Sequence, residues 1–141
     1  METTQDEILA RKSLDHLSPF ERGYIACALW SSHDDADDSG GLNLDDEKYG
    51  AYPFDPESLQ RMIDDCAKFR DRRPDLYLQA LDYQESSRIG HDFWLTRNHH
   101  GAGFWDGDYP EELGGLLTQW AETFGECYLW VDDDRKCICI D

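Results

Sequence analysis

Gly90-His91-Asp92-Phe93-Trp94-Leu95-Thr96-Arg97-Asn98-His99-His100-Gly101-Ala102-Gly103-Phe104-Trp105-Asp106 is the stretch on which the fold turns. It gathers two Trp, two Phe, three of the chain's five His and three Gly, with an Arg between the aromatics. Phe93 to Thr96 is a short run of β-formers, Asn98 to Gly103 supplies turn residues, and Phe104-Trp105 resumes the apolar pattern. Together they predict a β-hairpin. Alternation then sets Phe93, Leu95 and Arg97 on one face and Asp92, Trp94 and Thr96 on the other. Both faces carry a large apolar group, so the strand is expected either to be covered on both sides or to offer an aromatic to a partner. Gly101 and Gly103 permit the positive φ or close backbone approach that such turns use.

Upstream, Ser18-Pro19-Phe20-Glu21 combines an N-cap, a proline in the first helical position and the return half of a capping box, which predicts a helix over 19–31. Gly23 and Ala26 in that helix leave room for a close neighbour. Asp55-Pro56-Glu57-Ser58 opens a second helix by the same logic, with Leu59, Met62, Ile63, Cys66 and Phe69 on one apolar face. Arg70, Arg72 and Arg73 crowd its end and Pro74 stops it. A third helix is expected from about 75 to 88, capped by Gly90. Downstream, Asp108-Tyr109-Pro110-Glu111 starts a helix that Gly125 ends, and residues 127–131 and 136–140 alternate like strands around an acidic turn. The expected fold is α+β: three N-terminal helices, a β-hairpin, a helix and a C-terminal β-hairpin, the four strands forming a small antiparallel sheet packed with helices. Residues 1–17 read as a weakly amphipathic, frayed segment, and 18–141 as a single domain with an acidic loop insert at 31–50.

A chain of 141 residues with 40% hydrophobic and 13% aromatic content can bury one respectable core. Its charge is the outlying feature: 31 acids against 13 bases leave −18. Such a field disfavours direct contact with nucleic acid or an anionic membrane and suits a basic partner. There is no run of about 20 apolar residues, and the acidic opening Met1 to Glu7 is unlike a secretory leader. With five Cys, an odd number, the expectation is free thiols in a reducing cytoplasm.

Cys137-Ile138-Cys139 is half of what a zinc site needs, but no second pair stands at a matching spacing. Buried thiols sharing one strand face are the simpler reading, and Cys27 and Cys66 fall on apolar helix faces as packing residues. Asp34, Asp38 and Gly40 suggest a calcium loop, yet the alternation and the closing Glu are missing. Neither a Gly-x-Ser-x-Gly elbow nor a phosphate-cradling loop is present. A hairpin could gather His91, Asp92, His99 and His100, with Glu85, Asp106 or Asp108 nearby, into a hydrolytic metal centre whose imidazole ligands are His91, His99 and His100. The competing reading pairs Asp92 with Arg97 and leaves His99 and His100 at an exposed turn; no cofactor is required.

The stretch from Gly90 to Asp106 resembles the motif Gly-His-Asp-Phe-Trp-Leu-Thr-Arg-Asn-x-His-Gly-x-Gly-Phe-Trp-Asp of a widespread family of uncharacterised phage- and plasmid-encoded proteins, matching each fixed position. The likeness extends to the run Tyr24 to Ser32, to Asp65-Cys66 with Phe69, and to Gly125-Glu126 with the last hairpin. Gly107 replaces the Arg common after the Trp-Asp pair, and the insert at 34–41 is longer and more acidic. The resemblance implies a mobile element acting in a bacterial host. The motif residues it singles out are His91, Asp92, Trp94, Arg97, Asn98, His100, Trp105 and Asp106.

Charge and resemblance together lead to one expectation. Asp34, Asp35, Asp37, Asp38, Asp45, Asp46, Asp132, Asp133 and Asp134 form an acidic surface that binds a basic host protein, such as a restriction or CRISPR-type complex, in the manner of a DNA mimic. The alternative of another class is a small metal-dependent hydrolase built on the histidines.

Overall fold

The computed structural model describes residues 9, 12, 14, 16–34, 41–99 and 102–141. Among them are five helices and one two-stranded antiparallel sheet: α1 (Pro19–Ser31), α2 (Pro56–Arg72), α3 (Pro74–Leu81), α4 (Ser86–Arg97), α5 (Glu111–Glu122), β1 (Leu129–Asp132) and β2 (Cys137–Ile140). The α+β class is as expected, but the central hairpin is not there.

The first part of that stretch, Gly90 to Arg97, belongs to α4. The strand reading failed because every residue from Ile89 to Arg97 except His91 is buried, so no polar face marks a helical period. Seen from sequence alone, a helix covered all round looks like a buried strand. The expected third helix is likewise split: α3 ends at Leu81, and Gly90, placed as a cap, lies inside α4. Among the described residues the sheet is the two-stranded C-terminal hairpin, not four strands.

Gly90 has a packing role. A Cβ there would lie 2.1 Å from the Phe20 carbonyl oxygen, and one on Gly23 would lie 2.0 Å from that of Ser87. The two glycines let α1 and α4 cross backbone to backbone, which makes this helix pair the centre of the molecule. Around it Phe69 stacks on Phe93 at 4.3 Å, Tyr24 on Phe93 at 5.2 Å, and Phe124 meets Phe93 edge-on at 4.9 Å.

The locally encoded starts hold. The Ser18 amide donates to the Glu21 carboxylate at 3.2 Å, and the other oxygen of Glu21 takes the Arg70 guanidinium at 3.0 Å, so the end of α2 is tied to the start of α1. Asp55 caps α2 by accepting from the Ser58 amide at 3.1 Å.

In the hairpin, Leu129 pairs with Ile140, Trp130 with Cys139, Val131 with Ile138 and Asp132 with Cys137. The free edge of β2 is capped by a stretch of loop: Ile138 donates to Pro53 at 2.9 Å and accepts from Asp55 at 2.8 Å.

The acidic insert is anchored at its base. Asp34 donates to the Leu42 carbonyl and Leu44 to that of Ser32, while Leu44 and Tyr49 are buried in the core. Of the N-terminal segment, Leu9 and Leu14 are core residues, and the Lys12 ammonium donates to the carbonyls of Tyr49 and Tyr52 at 2.6 and 2.7 Å. Among the described residues no helix is long and apolar enough to cross a membrane.

Candidate functional site

The motif residues are mostly turned inward, and their bonds are structural. Arg97, 4% exposed, donates through Nη1 to Asp65 at 2.7 Å and to the Tyr24 hydroxyl at 3.0 Å, through Nε to the Gly125 carbonyl at 2.9 Å, and through Nη2 to that of Phe124 at 3.0 Å. It also lies over the rings of Phe93 and Phe124. The expected Asp92–Arg97 pair does not form, because five residues along a helix separates the two by more than a third of a turn. Trp94 is buried with its Nε1 donating to Ser31 at 2.8 Å. Asn98 donates to the Trp94 carbonyl and accepts from the Cys127 amide at 2.8 Å, joining α4 to the approach to β1. Asp106 accepts from the Gly103 amide at 3.1 Å, and Trp105 is half exposed.

Asp92 is fully buried and accepts from the Tyr109 hydroxyl at 2.9 Å. Its Oδ1 lies 3.5 Å from Arg88 Nε and 3.8 Å from His91 Nδ1, without a hydrogen bond to either. Arg88 also reaches Asp108 at 3.3 Å, and the Trp30 ring stacks over His91. Burial, with the Asp92 charge second, pushes the Cys27 thiol up to about 12, so this thiol is not an activated nucleophile.

Among the described residues no histidine centre is assembled. His91 and His99 stand eight residues apart along one helix and its cap, about 12 Å of rise. His99 is exposed and 3.6 Å from Glu126, and His100 lies outside the described residues. Cys66 is buried as expected.

The acidic surface shows more convergence. Asp35, Asp37 and Asp38 lie outside the described residues. Tyr49 binds two of the insert's acids: its hydroxyl bonds to Asp34, its amide donates to the Asp46 carbonyl at 3.0 Å, and burial followed by the hydrogen bond to Asp34 pushes its phenol above the ordinary value. Burial and the adjacent Asp46 push the Asp45 carboxyl up. Asp46, Asp133 and Asp134 are exposed. Lys48 lies over the Tyr49 ring and Lys136 over Tyr52. Asp132 is held differently: its Oδ1 accepts the amides of Asp134 and Arg135, each at 3.1 Å, and its Oδ2 the Arg135 Nε at 2.9 Å.

Sequence reasoning missed Tyr49, the buried residue that holds Asp34 and the Asp46 backbone of the insert. Its flanking apolar partner Tyr52 was the one available signal. No family model, curated protein or solved structure matches the chain.

Proposed function

We propose that the protein is an interaction protein of mobile-element origin that binds, and thereby inhibits, a nucleic-acid-binding protein of its bacterial host through its acidic face. The observation that carries this reading is the anchoring of the acidic insert on Tyr49, whose hydroxyl bonds to Asp34 and whose amide donates to the Asp46 carbonyl. Carboxylates held together this way compete with phosphates for a basic cleft, and the chain's −18 charge strengthens the encounter. The host setting rests on the resemblance at Gly90 to Asp106.

The test is affinity capture from bacterial lysate at low salt, followed by elution with duplex DNA. The expected result is retention of a restriction or CRISPR-type complex that DNA displaces and that D45N/D46N/D133N/D134N fails to hold. Retention indifferent to DNA and to the four substitutions rejects the reading.

A further inference from the structure

We propose that Cys137, Cys139 and Asp132 form a binding site for a thiophilic divalent cation, zinc being the type, over which the Arg135 guanidinium stands as a displaceable gate. The register places Asp132 directly across from Cys137, and Cys139 follows two residues on, so all three side chains share one face of the hairpin. One donor atom from each lies within 4.8 Å of the other two. The two sulfurs are 3.8 Å apart. That separation is the edge of a tetrahedron with metal–sulfur bonds of about 2.3 Å, so the thiols need no rearrangement to chelate.

The second observation is what occupies the focus of these groups. Arg135 donates to Cys139 Sγ at 3.3 Å, to Asp132 Oδ2 at 2.9 Å and to Asp55 Oδ1 at 3.0 Å. A cation thus already bonds one of the two thiols and the carboxylate, and a dication serves the same groups with more charge. Arg135 is more than half exposed, and it keeps Asp55 as a partner when it swings off the sulfurs. Asp132 is held in place as a ligand: its Oδ1 is fixed by two turn amides, and its Oδ2 accepts from the same Arg135 that meets Cys139. Three protein ligands leave the fourth position to water or to an incoming group. The thiols give up their protons as the metal binds.

The register also supplies a reporter, since Trp130 lies across from Cys139 on the same face. The experiment is titration of the full chain, reduced and freed of metal, with Co²⁺ and then Zn²⁺. The expected result is saturable thiolate-to-cobalt charge-transfer absorption at one equivalent, bleached by Zn²⁺, with a change in Trp130 emission that W130F removes. C137S and C139S each abolish the absorption, and D132N weakens binding. R135A leaves every ligand in place and tightens binding, a gain that misfolding cannot imitate. Absence of the charge-transfer band in the reduced wild-type chain overturns the proposal, as does a band that persists in C137S/C139S.

Discussion

Arg97 ties distant segments together, bonding to Asp65, to the Tyr24 hydroxyl and to two carbonyls beyond α5. Replacing it with Met strands those acceptors, and the expected loss is about 3 kcal/mol or more in urea unfolding. Lys keeps the charge but loses the fork, so R97K is expected to recover only part of the stability. Buried acids set the alkaline limit. Cys27 is raised from 9.0 to about 12, and Tyr24 and Tyr109 are raised above 10.0, each chiefly by burial. These groups keep their protons in the folded chain after the unfolded chain has begun to lose them. Their contribution is therefore whole below pH 9, the ordinary value of the thiol, and declines as pH rises towards 12. Denaturant unfolding followed across that window is expected to show the fall, and C27A to flatten it between 9 and 12 relative to wild type.

The crossing of α1 and α4 is an element-scale feature, and two glycines decide it. A Cβ on Gly23 or Gly90 meets backbone oxygen near 2 Å, which no side-chain rotation relieves. Each Gly→Ala substitution there is expected to cost about 3 kcal/mol or more, read as a lowered urea midpoint. Gly115 of α5 is the control, because a Cβ on it meets nothing within 4 Å. G115A is expected to raise stability by about 0.5–1 kcal/mol through helix propensity alone. The sequence hinted at a close neighbour through Gly23 but named none, and it read the second half of α4 as a strand. Phe93 to Thr96 have β propensity, and burial on all sides overrides it.

At the scale of the whole molecule, 31 acids against 13 bases leave a net charge of −18 that repels itself across the folded surface. Adding sodium chloride up to a Debye length of about 8 Å is expected to raise the melting temperature, and a scan of melting temperature against salt checks it. The same salt is expected to weaken capture of a basic partner, so stability and binding should move in opposite directions.

What the chain determined unaided is what neighbouring residues can settle among themselves. Ser18-Pro19 and Asp55-Pro56 start helices because a cap and a fixed φ act within one turn, and the C-terminal hairpin follows from alternation around an acidic turn. The net charge needs only counting. Tertiary structure alone decided that Phe93 belongs to a helix, that Arg97 takes Asp65 instead of Asp92, and that Asp132 faces two thiols. These outcomes depend on which distant surface covers a residue and on cross-strand register, and neither leaves a periodic trace in the local pattern.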